Sequence, residues 1–274
     1  MTKVIHEINQ EVYSADTCFI PTMGSLHKGH TTLFEQAKAT PHAKTIVSIF
    51  VNRKQFNDKK DFDNYPIDID NDLKLLEKVN VDYIFIPDES YIYPNKKILD
   101  VSSGPIGMQY EGKYREGHFD GVLTVVNRLF ELINPSAAIF GRKDAQQLFL
   151  IKEMVNQFKQ NIKIYEGKLI RETSGLAMSS RNLLLSDEAK KNASNIYKIL
   201  LNTKNFYQNS KSISKSVSHG KTLFEKMEIS YDYLDIVDVN SFRTPDKNTE
   251  KSLLITAGYV ENIRLIHNLG IWNE

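Results

Sequence analysis

The chain has 274 residues, of which 41% are hydrophobic and 25% charged, and 35 Lys and Arg against 34 Asp and Glu leave a formal net charge of +1. That length and composition allow one large globular domain or two modest ones, and the near-balance of charge lacks the basic footprint of a nucleic-acid binder. The lone Cys18, an expected core residue, excludes an intrachain disulfide; no run of about 18 apolar residues suits a membrane span, and the opening MTKVIHEINQ lacks the apolar stretch of a signal peptide, so the expected location is the cytoplasm.

In chain order, short runs of apolar, β-branched or aromatic residues predict strands at 17–20, 45–51, 81–86, 137–140 and 162–165. Helix-period segments lie between them. Val122, Val125, Val126, Leu129, Phe130 and Ile133 share one apolar face, and Leu148, Ile151, Val155 and Phe158 share another. Strands alternating with helices imply βαβ units and a Rossmann-like doubly wound parallel sheet, an α/β fold that binds ligands beyond the carboxyl ends of its strands. Past residue 175 the texture changes. Polar, Lys- and Ser-rich helical stretches at 186–204 and 213–228 precede strand-like runs at 231–239, 252–260 and 262–269, the last two close enough for an antiparallel hairpin. The expected organisation is a Rossmann-like domain over 1–174 and a smaller α+β C-terminal domain over 175–274, acting as a lid. The Lys-, Asn- and Ser-rich stretch 202–219 is expected to be mobile.

Two short constellations carry chemistry. The segment PTMGSLHKGH, residues 21–30, leaves the first of these predicted strands, turns on Pro21 and Gly24, and enters a helix near His30. Backbone N–H groups and the helix dipole at such a turn stabilise a phosphate, and Gly24 and Gly29 let a ligand approach the backbone. His27 and His30, three apart, project from one face of the first helical turn and can donate to the charge that builds on an α-phosphate. The plainer alternative is a tight turn with two surface histidines. Metal ligation suits the segment less well, because no third ligand lies at metal-site spacing. In the second constellation, SGLAMSSRN, Ser179 and Ser180 offer hydroxyls and Arg181 a planar fork matched to phosphate. Its plainer alternative is a helix cap in an ordinary loop.

A His-x-Gly-His turn followed by a later Met-Ser-Ser-Arg loop resembles the signature pair of the HIGH-type nucleotidylyl transferases, whose two motifs lie on either side of the triphosphate. The intervening segments sharpen the resemblance. SIFVNRKQF at 48–56, REGHFDGVLTVVNRLF at 115–130, GRKDAQQL at 141–148 and ETSGLAMSSRN at 172–182 stand in the order found in the pantothenate synthetases, and the similarity runs from about residue 18 to 190. The resemblance implies an ATP-dependent ligase that joins pantoate to β-alanine through a pantoyl adenylate, releasing AMP and pyrophosphate, in the biosynthesis of pantothenate and coenzyme A. It also implies a homodimer, while the charge balance and the lack of a long apolar run lead to the expectation of neither nucleic acid nor membrane as a partner.

By the same resemblance, Met23, Gly24, Ser25, Leu26, His27, Lys28, Gly29 and His30 contact ATP, with His30 as proton donor. Gly141, Arg142, Lys143 and Asp144 form the nucleotide-binding loop; Lys143 can reach phosphate and Asp144 can accept from ribose hydroxyls. Ile170, Met178, Ser179, Ser180 and Arg181 cover the adenine and phosphates. Gln55 and Gln147 grip pantoate, their amides able both to donate and to accept. Asn52, Arg115 and His118 are second-rank candidates near the same substrate. The expected catalytic set is His27, His30, Lys143, Ser179, Ser180 and Arg181, with Mg²⁺ bridging phosphate oxygens on protein ligands that the sequence leaves unnamed.

Several positions depart from the family pattern. Arg53 stands where Pro is usual, Glu116 breaks an Arg-Pro-Gly-His-Phe motif, Ile67 replaces Arg after Tyr65-Pro66, and Arg142 and Ser174 replace Glu and Asp. These bear on loop rigidity and substrate affinity and leave the reacting groups in place. The rivals are another HIGH-type nucleotidylyltransferase, which needs no amine, and a non-catalytic nucleotide sensor. The glutamine pair and the C-terminal domain speak against the first, and the intact polar set against the second.

Overall fold

The apolar runs of the first two-thirds pair side by side in one six-stranded sheet. Its strands are β1 (Lys3–Ile5), β2 (Thr17–Thr22), β3 (Lys44–Ile49), β4 (Tyr83–Phe85), β5 (Ala137–Gly141) and β6 (Lys163–Gly167), in the order β1-β4-β3-β2-β5-β6. Every pairing in it is parallel. The structure, a computed structural model, describes residues 2–13, 15–94 and 98–272. Two units divide the chain: Met1–Arg142 with Gln146–Lys168, and Lys143–Ala145 with Leu169–Glu274.

Helices cover both faces of the sheet, which is why the middles of β2 and β3 read as consecutive apolar residues instead of alternating ones. Cys18 and Ile20 turn to one face and pack with Phe34 and Ala37 of the Lys28–Lys38 helix and Leu76 of the Ile69–Lys78 helix. Phe19, between them in sequence, points the other way. It meets Phe130 of the His118–Ile133 helix edge to face at 6.2 Å. Strand β1 has no apolar signature to predict it: two of its three residues are exposed, and it is held at the edge by β4. Pro21 lies within β2, opposite Ser48, and not in the turn the sequence suggests. It can sit there because β5 pairs only with Cys18 and Phe19, so no ladder bond is asked of its missing N–H on that side.

Strand order decides where ligands go. From β2 the chain moves outward through β3 to β4, then returns to lay β5 and β6 on the other side of β2. The carboxyl ends of β2 and β5 therefore form the switch point of a doubly wound sheet, where such folds bind ligands. The segments that leave these two strands are residues 23–30 and the Arg142–Asp144 turn.

In the second unit, the helices Asp187–Ser210 and Ile213–Lys226 pack on an antiparallel sheet of β7 (Tyr231–Asp238), β8 (Ser252–Val260) and β9 (Ile263–Gly270). Ile196, Ile199, Leu200, Phe224, Leu234, Ile236 and Leu254 form its core. The β8–β9 hairpin turns on Glu261 and Asn262, both at positive φ (48° and 61°), the backbone pair that matches strand twist in a two-residue loop. The expectation for 202–219 is corrected. Those residues complete one helix and begin the next, with a left-handed stop at Lys211 and a Ser212 cap that accepts from the Lys215 N–H. Their polar composition reflects outward faces, while Thr203 and Ser216 are buried between the helices. Among the described residues no helix is long and apolar enough to cross a membrane.

Candidate active site

The turn after β2 is built by two left-handed residues, Gly24 (φ 84°) and Ser25 (φ 51°), before the chain enters the Lys28–Lys38 helix. His27 is the N-cap of that helix, three residues ahead of His30. The Gly29 N–H donates to His27 Nδ1 at 3.1 Å, and the His27 N–H donates to His30 Nδ1 at 3.2 Å. This is a reciprocal capping box with imidazoles in both roles. A backbone N–H can only donate, so both Nδ1 atoms are acceptors, and in each neutral ring the proton resides on Nε2. The rings lie 4.1 Å apart, centroid to centroid. The turn thus holds two adjacent imidazoles as Nε2–H donors, the form suited to phosphate oxygens.

The backbone amides of the turn are a different matter. The sequence suggests that they face a ligand, but Ser25 N–H donates to Asp72 Oδ2 at 2.8 Å and Leu26 N–H to Asp72 Oδ1 at 2.7 Å. Gly24 N–H turns to Thr22 Oγ1 at 3.3 Å, and Gly29 is a helical residue whose N–H is taken by His27. Asp72 is almost fully buried. Burial pushes its carboxyl above the ordinary range, against the opposing pull of the Leu26 and Ser25 amides.

Gln55 ends a short 3-10 turn, Arg53–Gln55, and is buried. Its amide nitrogen donates to Met23 Sδ at 2.8 Å, and its Oε1 accepts from Asn52 Nδ2 at 3.2 Å. Asn52 is itself fixed: its Nδ2 also donates to Gly121 O, and its Oδ1 accepts from Tyr93 Oη at 2.7 Å. Arg115 donates to His118 Nε2 at 3.0 Å, which leaves His118 Nδ1 as the protonated nitrogen, donating to Gln55 O at 2.7 Å. The second-rank candidates Asn52, Arg115 and His118 are therefore joined to Gln55 and Met23 in one network, of which Asn52, Gln55 and His118 are buried and Arg115 and Met23 partly so. Arg53, in place of the usual proline, opens the 3-10 turn; Asn52 caps it, and the guanidinium lies over the Phe62 ring at 5.5 Å. Gln147 is half-buried in the first turn of the Ala145–Gln157 helix. Its neighbour Gln146 anchors that turn, accepting from Glu111 N–H and donating to Ile106 O and Gln109 O.

After β5, Arg142 donates from Nε to Glu166 Oε2 at 2.7 Å. Lys152 also pairs with Glu166. Burial opposes ionisation of Glu166, but hydrogen bonds from Lys152 and Arg142 outweigh it and hold the carboxyl below its usual range. The arginine that departs from the family pattern is thus matched by an acid on the adjacent strand. In the second unit, Lys143 Nζ lies 3.2 Å from Asp144 Oδ1, and Asn268 Nδ2 donates to the Lys143 carbonyl at 2.8 Å.

The Ser-Ser-Arg segment opens another 3-10 turn, Ser180–Leu184, with Ser179 as its N-cap accepting from the Arg181 N–H at 3.3 Å. Asn182 is buried and donates to Glu172 Oε1 and Ala177 O. The Met178 N–H donates to Ile170 O at 3.0 Å, which brings together two residues expected to meet the nucleotide. Arg171 reaches back to Gly175 O and Asn268 O, and lies over the Tyr197 ring at 4.3 Å. His267, beside Arg171, is held neutral. Burial first, then the charges of Arg171 and Lys143, push its pKa down to about 3.

Asp72, Asn182 and Asn268 are the supporting residues that the sequence reading missed. Asn182 has a local signal, since it directly follows the Ser-Ser-Arg triplet. Asp72 and Asn268 have none, because their partners are remote in sequence.

A doubly wound sheet whose switch-point turn carries two locked imidazole donors defines an α/β nucleotide-handling enzyme of the HIGH type. The pantoate–β-alanine ligase family model matches residues 1–270. Pantothenate synthetase of Cytophaga hutchinsonii is 41% identical over 257 residues, 92% of this chain and 90% of that protein; that of Vesicomyosocius okutanii is 43% identical over 253 residues, 92% of this chain and 88% of that protein. The crystal structure of the Thermus thermophilus pantothenate synthetase superposes with a TM-score of 0.91 at 34% identity, covering 99% of this chain and all of that one. The Francisella tularensis pantoate–β-alanine ligase, complexed with β-γ ATP and β-alanine, matches at a TM-score of 0.79 and 30% identity, covering 100% of this chain and 99% of that one. The chain belongs to the pantoate–β-alanine ligase family: it is an AMP-forming ligase that makes pantothenate from pantoate and β-alanine.

Proposed function

We propose that the reaction runs in two half-reactions on the residues described above, with ATP as co-substrate. A carboxylate does not condense with an amine at neutral pH, because oxide is too poor a leaving group. Adenylation removes that obstacle. A pantoate carboxylate oxygen attacks the α-phosphorus, the bond from that phosphorus to the bridging oxygen breaks, and pyrophosphate leaves with the electron pair. The β-alanine nitrogen then attacks the acyl carbon, the carbon–oxygen bond to the phosphoryl group breaks, and AMP departs while the amine loses a proton.

The observation that carries this reading is the His27–His30 capping box, which fixes two Nε2–H donors side by side at the switch point. Neither a covalent nucleophile nor a charged imidazole is required. Donors aimed at charge that develops only in the transition state stabilise it without reorganisation. His30 donates to the α-phosphate, with His27 beside it. Lys143, Ser179, Ser180 and Arg181 neutralise the triphosphate and the departing pyrophosphate. Residues 23–30 and Gly141, Arg142 and Asp144 bind the rest of the nucleotide with Ile170 and Met178. Gln55 and Gln147 bind pantoate. The network of Asn52, Arg115 and His118 supports Gln55, since a pre-oriented amide loses little freedom on binding.

Mg²⁺ enters as part of the nucleotide substrate, held chiefly by phosphate oxygens and water. Among the described residues no group of three or more His, Cys, Asp or Glu is gathered together. We further propose that the enzyme works in the cytoplasm, as the character of the opening segment suggests, and as a homodimer, as the family resemblance implies. The Francisella tularensis complex with β-γ ATP and β-alanine supports the choice of co-substrates.

The test is isotopic. Pantoate labelled with ¹⁸O in its carboxylate passes one labelled oxygen to AMP if that oxygen attacks the α-phosphorus. AMP free of label, with pantothenate still formed, contradicts the adenylate route.

A further inference from the structure

We propose that Asp72 is a positioning residue for catalysis, setting the His27–His30 pair through the turn that precedes it. The inference deepens the proposed function and rests on the reading that His30 acts at the α-phosphate. Asp72 gives one carboxylate oxygen to each of two successive amides, Ser25 N–H at 2.8 Å and Leu26 N–H at 2.7 Å. Successive N–H groups in such a turn form an anion-binding nest. Here the protein fills the nest with its own carboxylate, so the turn is ordered before any phosphate arrives.

Three further observations point the same way. Ser25 sits at φ 51°, a region sparsely populated by residues with a side chain, which persists only where surrounding contacts over-determine it. The carboxylate supplies those contacts. Gly24 leaves it room: a Cβ there would lie 2.8 Å from Asp72 Oδ2 and 3.1 Å from Ile49 Cγ2. Asp72 itself stands in the first turns of the Ile69–Lys78 helix, whose N-terminal dipole favours a negative charge, and its own N–H is tied to Asp68 O.

The consequence follows from chain connectivity. Leu26 directly precedes His27, so fixing its amide fixes the direction in which the N-cap enters the helix. The capping box then transmits that direction to His30. At 2% exposure, Asp72 does not touch substrate. Its effect reaches the reaction only through the imidazoles.

The experiment uses the full-length enzyme and four proteins: wild type, Asp72→Asn, His30→Ala and the double variant, with Asp72→Ala as a second substitution at the same site. Asparagine keeps the volume but turns an N–H donor toward one of the two amides. Pantoate-dependent pyrophosphate release is measured across pantoate concentrations, and cooperative melting is recorded for each protein. Asp72→Asn is expected to lower kcat by roughly 10²-fold, the scale of a misplacement of about 1 Å. The KM for pantoate should stay within about threefold, and in the His30→Ala background the same substitution should cost less than about threefold, because groups acting as a unit are non-additive. Equal cost in both backgrounds, a wild-type kcat, or failure of both Asp72 variants to fold overturns the proposal and makes Asp72 a stability residue alone. A wild-type rate for His30→Ala overturns the underlying reading instead, and so separates the two failures.

Discussion

The two polar segments bearing the family signature are held in opposite ways. The turn at 23–30 is fixed from a distance: Asp72, which binds its amides, is 46 and 47 residues away in sequence and is buried in the first unit. In the Ser-Ser-Arg segment of the second unit, the bonds of Met178, Ser179 and Asn182 run to neighbours in sequence. Asn182 bonds to groups ten and five residues back, Met178 to Ile170, and Ser179 to the amide of Arg181. Leu183 and Leu184, which follow it, are exposed. The first segment therefore depends on the packing of a whole sheet, whereas the second is a local motif. The lesson is that one signature can join a part whose geometry is set by the global fold to a part that carries its geometry with it.

The contrast can be broken by substitution. The largest effect is expected at the turn held from a distance. His30→Ala should lower pantoate-dependent pyrophosphate release by roughly 10²-fold or more, as loss of a transition-state donor does; a pre-steady-state rate equal to wild type counts against the role given to the ring. Next is Gln55→Ala in the network of the same unit. It should raise the KM for pantoate about tenfold with much less change in kcat, the pattern of lost ground-state binding, and unaltered pantoate saturation would contradict it. In the second unit, Asn182→Ala leaves the Ala177 carbonyl and the Glu172 carboxylate without its amide. It should cost about 1–3 kcal/mol, read from denaturant unfolding, since Asn182 is buried; a cost confined to the noise would mean the segment is held by something else.

A further difference between the units is read by pH. The folded second unit keeps His267 neutral down to about pH 3, whereas the unfolded chain protonates it near about 6.5. Its contribution is therefore complete above the unfolded value and is lost as pH falls through the window between the two, at up to about 1.4 kcal/mol per pH unit. His267→Gln should flatten that slope in the stability of the second unit. A slope that is unchanged by the substitution would show that other groups set it.

How much of this is legible in the sequence follows the same division. The strands and the long helices announce themselves because burial on both sheet faces demands apolar runs, as at Ile46–Val47 and along Val122 to Ile133. The paired histidines and Ser179–Arg181 are legible because their spacing is local, and their caps are short-range bonds. Pro21 misleads, since a proline suggests a turn wherever the neighbouring pairing is unknown, and only the register with β5 explains its place in β2. The 202–219 stretch misleads because a polar composition marks an outward helix face as readily as a loop. Asp72 stays hidden altogether: among the acids of 68–72, only the fold distinguishes the one that turns inward.

In the proposed reaction, activation of pantoate precedes amide formation. Rapid quench with enzyme in excess of ATP, pantoate present and β-alanine withheld, measures it most directly. One pyrophosphate per ATP should appear in a single phase with pantoyl adenylate trapped on the enzyme, followed by AMP and pantothenate when β-alanine is added. Pyrophosphate release that requires β-alanine from the outset would contradict it.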